Sequence, residues 1–185
     1  MSDLLPLDLG DGLVLHASTV GDAEEIYLAV DADRDRLREW LPWVDATSSL
    51  AVQREFLALL EVANAAGTGV HVTMRQDANF AGVMGLRING MHGSADIGYW
   101  VAAAYAGRGL VTRSVAALVD LGFGPLGLHR VELRAATDNV RSRAVAERLG
   151  MLHEGTLRDA ELLASGHVDL EIYSVLSTDQ LSADR

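Results

Sequence analysis

The chain has 185 residues, is 49% apolar and 22% charged, carries a formal charge of -11 and contains no cysteine. That length and composition suit one globular domain with a real core. The missing cysteines exclude disulfides, thiolate metal sites and a cysteine acyl-enzyme, and no basic block exists to neutralise nucleic-acid phosphates or anionic lipid. No apolar run reaches membrane-spanning length. The first twelve residues are acidic and lack the basic stretch of a signal peptide, so a cytoplasmic location is expected. The acidic balance serves solubility first, and it also attracts cationic amines.

Residues 13–18 read as a short apolar strand. Thr19, with Asp22 three residues on, makes a capping-box start for a helix to about Ala32, with Ile26, Tyr27 and Val30 on its buried side. A second short helix, 34–40, is stopped by Pro42. Trp40 and Trp43 stand three apart around that proline, either as core anchors or as walls of a pocket. Residues 49–66 form a longer helix, with Val52, Phe56, Leu59, Leu60 and Ala63 at helical spacing. Strands follow at 70–75 and 80–88, joined by the polar turn 76–79. Asn89-Gly90 marks a reverse turn into a strand at 94–101. Three successive strands with short turns make an antiparallel meander.

Residues 96–112 organise the rest. A β-rich run meets Gly107-Arg108-Gly109, and a helix pattern follows with Val111, Val115, Leu118 and Val119 on one face. The two glycines either make a plain turn or let backbone N–H groups approach an anion, which a helix N-terminus favours. Arg108 and Arg113 oppose the helix dipole unless an anion sits there. The Gly-x-Gly-x-x-Gly spelled by 122–127 is no dinucleotide fingerprint: it follows a helix, contains Pro125 and leads to a strand.

A strand at 129–137 precedes Asp138 and Asn139, either of which caps a helix over 140–149; Gly150 closes it. Arg141 and Arg143 crowd its positive end, again favouring an anion. Residues 151–160 and 166–174, around a turn at 164–166, make a final hairpin. Glu161 follows its first strand, between Ala160 and Leu162-Leu163, as a surface carboxylate or a desolvated base. Asp96, alternating with Gly98 and Trp100, is the second candidate base. Residues 177–185 read as a mobile tail. The six histidines show no ligand spacing, so no metal is expected. Without a linker or repeat, 1–185 reads as one domain with its core at about 13–175.

The run Ile97-Gly98-Tyr99-Trp100-Val101, followed by Tyr105-Ala106-Gly107-Arg108-Gly109-Leu110, resembles the acetyl-CoA pyrophosphate loop of GNAT N-acetyltransferases, in their RimJ/RimL branch. The superfamily pattern is Gln/Arg-x-x-Gly-x-Gly/Ala; this chain has Ala106 at its first position and Val111 at its last. Residues 139–151 are similar to the GNAT helix whose Asn-x-x-Ser/Ala start faces the pantetheine arm. The resemblance implies an α+β GNAT (acyl-CoA N-acyltransferase) fold. Its sheet would be mixed, mostly antiparallel and splayed between 94–101 and 129–137, with helices on both faces.

The resemblance also implies acetyl-CoA as donor, held by main chain at Tyr99, Trp100 and Val101, by Gly107, Arg108, Gly109, Leu110, Val111 and Thr112, and by Asn139 and Arg143. Trp40 and Trp43 would wall the acceptor pocket, and the alternation of Asp96 with Gly98 and Trp100 would point it into the same cleft. Glu161 would take the amine proton. Ser142 would hydrogen-bond or protonate the thiolate, because Ala146 stands where many relatives carry a tyrosine. Transfer would be direct, in a ternary complex, to a protein N-terminal α-amine such as that of a ribosomal protein. A small amine (polyamine, amino-sugar antibiotic or amino acid derivative) is the second reading, and a cofactor-binding sensor without chemistry the third. A homodimer is implied; nucleic-acid and membrane partners are not.

Overall fold

A computed structural model describes residues 4–179 and 181. Residues 1–3 and most of the expected tail lie outside the described residues. The strands are β1 (Leu7–Asp8), β2 (Leu13–Ala17), β3 (Gly69–Gln76), β4 (Asn79–Asn89), β5 (Ser94–Val101), β6 (Arg130–Ala136), β7 (Leu152–Leu163) and β8 (Gly166–Leu176). The helices are α1 (Ala23–Ala32), α2 (Arg34–Arg38), α3 (Leu50–Ala66), α4 (Leu110–Phe123) and α5 (Val140–Arg148). The strands form one sheet in the order β1-β2-β3-β4-β5-β6-β8-β7. Among the described residues only the β5–β6 pair is parallel, with α4 as its crossover. No helix among the described residues is long and apolar enough to cross a membrane.

Local chemistry sets the boundaries. The Thr19–Asp22 capping box forms, with the Thr19 amide donating to Asp22 Oδ2 at 2.8 Å. It opens a short 3-10 turn that runs into α1, so the expected single helix begins as a tighter coil. Ser49 caps α3 through its side chain, and Gly67 ends that helix at φ 72°. The expected tail starts later than Ser177: its amide donates to His129 O at 2.9 Å, and the Leu176 amide donates to Asp179 Oδ2 at 2.9 Å.

Helices cover both faces. One core packs sheet residues such as Leu86, Ile97 and Leu133 against Val115, Leu118 and Val119 of α4, Val145 of α5 and Leu149 at its end. Each fully buried leucine contributes about 1.5–3 kcal/mol. The other core joins Ile26 and Val30 of α1, Leu37 of α2 and Leu57 of α3 to Phe80 and Trp100. Trp100, 7% exposed, leans on Phe80 with ring centroids 5.6 Å apart. Its indole therefore belongs to this core, and only its main chain borders the neighbouring strand.

The rotation of α3 departs from its apolar spacing. Gln53 and Leu57 are buried, whereas Phe56, Leu59 and Val62 are each more than half exposed. Polar bonds fix this choice. Asn64 accepts from the His71 amide (2.8 Å) and donates to His71 O (3.2 Å), and Glu61 accepts from the Val20 amide (2.7 Å). The hairpin β7–β8 is longer than the pattern suggested and bulged between Leu157 and Glu161. Glu161 thus lies inside β7, opposite Val168, and not beyond its end.

Candidate active site

The parallel pairing of β5 and β6 runs over four residue pairs, from Ser94–Arg130 to Ile97–Leu133. Beyond Ile97, β5 stays with β4 to Val101, while β6 stays with β8 to Ala136. The sheet therefore opens into a wedge bordered by Gly98–Val101 on one side and Arg134–Ala136 on the other. Strand edges that face each other without pairing leave main-chain groups for an extended ligand.

At the mouth of the wedge, β5 passes into a 3-10 turn over Ala103–Tyr105 and then into Gly107-Arg108-Gly109. Both glycines adopt left-handed backbone, at φ 75° and 76°. A Cβ at either position would meet open space, so conformation and not crowding demands glycine. The first N–H of α4 to find a carbonyl is that of Arg113, bonded to Gly109 O at 3.1 Å. Among the described residues, the amides of 107–112 donate to no protein acceptor. Converging unpaired donors at a helix start suit a polyanion.

The arginines divide. Arg108 is exposed at the loop, 5.3 Å over the Tyr105 ring. Arg113 turns away, donating to Leu9 O and Gly10 O beside Asp11, so contacts within the protein already answer its charge. Arg143 is likewise held inside, by Thr137 O (2.9 Å) and the Tyr173 hydroxyl (3.2 Å). Asn139 acts as the α5 cap, its Oδ1 accepting from the Ser142 amide at 3.1 Å. Its carbonyl oxygen thus serves the helix.

Ser142 follows in the first turn of α5. Its Oγ lies 2.9 Å from the Tyr99 hydroxyl, reached across the wedge from β5. Burial pushes the Tyr99 phenol up to about 12, and the bond to Ser142 opposes part of that rise. Ala146, one turn on, is fully buried in the core and offers nothing to the wedge.

On the acceptor side, Trp40 packs with Ala136, Leu163 and Leu170. It lines a cleft of about 830 Å³ whose walls also hold the carboxylates Asp35, Glu39, Asp138 and Asp169. Trp43 is 38% exposed and lies outside that cleft. Glu161 is half-buried on the strand beside it, and desolvation raises its carboxyl pKa. Asp96 is placed differently: its carboxylate sits between Arg87 Nη2 (2.9 Å) and Arg134 Nε (3.5 Å), on the paired part of β5.

Two supporting groups escaped the sequence reading. Arg36 donates to Val101 O at 2.7 Å while paired with Asp33, and Asp33 also accepts from the Ala103 amide at 3.2 Å. The α1–α2 junction thereby clamps the end of β5. Glu171, 7% exposed, accepts from His153 (2.5 Å), Thr156 (2.9 Å) and Thr137 (3.1 Å). These donors, His153 foremost, hold its carboxyl below the usual range. Through Thr137 it anchors the loop that presents Asn139 and Ser142. The sequence signals for both groups are single charged residues without spacing; only the fold brings their partners near.

Residues 13–152 match the family model described as the acetyltransferase (GNAT) domain. The chain is 32% identical over 160 residues to the candidate ribosomal N-acetyltransferase YdaF of Bacillus subtilis (strain 168), covering 85% of this chain and 87% of that one. Its fold matches RimL, a ribosomal L7/L12 alpha-N-protein acetyltransferase solved with coenzyme A, at TM-score 0.91 and 22% identity, over 95% of this chain and 100% of that one. It also matches the microcin C7 self-immunity acetyltransferase MccE, solved with acetyl-CoA and AMP, at TM-score 0.86 and 26% identity, over 92% and 96%. The family match runs from the first residue of β2 to the first of β7, and so contains both borders of the wedge and the two helices that open onto it. The chain belongs to the GNAT family of acetyltransferases.

Proposed function

We propose that this acetyltransferase moves an acetyl group from acetyl-CoA to the α-amine of a protein N-terminus, by direct attack in a ternary complex. The observation that carries the donor assignment is the set of unbonded amides at 107–112 beside the splayed strands. These amides and Arg108 fit a diphosphate, and the edges at Tyr99–Val101 fit an extended arm bearing amides. Acetyl-CoA supplies an activated thioester carbonyl. A main-chain N–H near Val101 faces the oxyanion that forms during attack. Glu161, with its raised pKa, accepts the amine proton through water. Ser142 donates a hydrogen bond to the departing sulfur. With no cysteine in the chain, catalysis relies on proximity and orientation and not on a cysteine acyl-enzyme.

The names carried by YdaF and RimL favour a ribosomal-protein acceptor. The acidic walls of the Trp40 cleft favour a second reading, a small cationic amine. Free-thiol release from acetyl-CoA, measured over N-terminal peptides and small polyamines, separates the two. Release with peptides alone supports the first reading, and release with polyamines alone replaces it. Cofactor binding without release from any acceptor removes both.

A further inference from the structure

Tyr99 stands two residues beyond Ile97, where β5 no longer pairs with β6. Its hydroxyl has two neighbours, both on Ser142: Oγ at 2.9 Å and the backbone O at 3.5 Å. Among the described residues, neither hydroxyl has another partner. Either hydroxyl can donate in the contact between them, and the one proton of the phenol has these two oxygens within reach. The shorter contact is Oγ. A serine oxygen that accepts there keeps its own proton pointing elsewhere.

We infer that Tyr99 is a positioning residue for acyl transfer: it donates to Ser142 Oγ and turns the serine proton outward, toward the sulfur that leaves. This rests on the reading of Ser142 as donor to the thiolate. Geometry supports orientation over proton supply. The bond joins a strand to a helix across the wedge, so it fixes a side chain that would otherwise rotate freely. Hydrogen bonds in series also polarise one another, which strengthens the outer donor. The phenol, near 12, holds its proton far more tightly than a thiol at about 8.5. A proton passed from Tyr99 to the thiolate would run uphill by about three and a half pK units. Tyr99 therefore keeps its proton throughout, and no bond to it is made or broken.

The test needs no acceptor. Coenzyme A is bound to the full chain, and its thiol is titrated by thiolate ultraviolet absorbance from pH 6 to pH 10, for the wild type, Tyr99→Phe, Ser142→Ala and the double variant. A directed donor favours the thiolate, so the bound thiol should titrate below free coenzyme A. Tyr99→Phe should raise that pKa by about half to one unit, a 3- to 10-fold change, with calorimetric affinity at pH 7 unchanged. The double variant should match Ser142→Ala alone. If Ser142→Ala raises the thiol pKa and Tyr99→Phe does not, Tyr99 merely packs and the inference is overturned. Shifts that add in the double variant overturn it too, because Tyr99 would then act independently of the serine. If Ser142→Ala leaves the pKa unmoved, the serine reading itself fails and the inference falls with it. If coenzyme A does not bind the wild type, the proposed donor is wrong.

Discussion

The amide of Arg113 reaches the carbonyl of Gly109 at 3.1 Å, and with that bond the hydrogen-bond ladder of α4 begins. Everything between Gly107 and Thr112 lies upstream of it and points its N–H groups away from the protein's own acceptors.

Gly109→Ala is expected to weaken coenzyme A binding about tenfold. The added methyl group meets open space, but φ 76° costs an L-residue about 1–2 kcal/mol. Relief of that strain would turn the amides out of register. Isothermal calorimetry with coenzyme A reads the affinity, and a melting curve separates it from a general loss of fold.

Glu161→Gln should lower turnover at least a hundredfold while leaving coenzyme A affinity intact. In the wild type, turnover should fall as pH drops through the raised carboxyl pKa, because only the carboxylate accepts a proton. The linkage has the opposite sense for stability. A folded-state pKa above the unfolded one gives a contribution present at low pH and lost as pH rises through the folded value. At pH 7 the ionised, partly desolvated group is a cost, so the glutamine variant should melt no lower than the wild type. A turnover–pH profile and melts of both proteins check the two halves.

Glu171→Gln should lower the melting temperature at pH 7 by about 2–4 °C, the effect of ~1 kcal/mol in a chain of this size. Its carboxyl pKa is held down by His153, Thr156 and Thr137. The stabilisation is therefore present above the unfolded carboxyl range and disappears as pH falls through the lowered folded value. Melts of both proteins from pH 7 down to pH 3 should converge at the acid end.

Arg36→Ala should raise the KM for acetyl-CoA about 3- to 10-fold by releasing Val101 O and loosening the end of β5. Arg36→Lys keeps one donor and should recover part of the loss. Initial rates of thiol release at varied acetyl-CoA, with the melt as control, decide whether the clamp acts on binding.

Short-range chemistry was legible in the residues. Thr19 with Asp22, the Gly107–Gly109 bracket, the cap at 138–139 and Gly150 each act within a few positions, and each lies where spacing put it. The splay between β5 and β6 followed from the resemblance. What stayed hidden depends on distance along the chain. Tyr99 and Ser142 are 43 positions apart, and Arg36 and Val101 are 65 apart. No local pattern encodes such meetings. The rotation of α3 was hidden for a different reason: it has apolar residues on two sides, and Asn64 and Glu61 chose between them. The bulge that brings Glu161 into β7 is likewise a property of pairing with β8 and not of β7 alone.

Four residue pairs join two antiparallel blocks, β1–β5 and β6–β8. The join is short, four pairs against eight in β4–β5 and seven in β6–β8, so of these three it is the seam along which the sheet opens most readily. A ligand laid in the wedge bridges that seam. Bound coenzyme A should therefore slow amide exchange across Ser94–Ile97 and Arg130–Leu133 more than within β3 or β4.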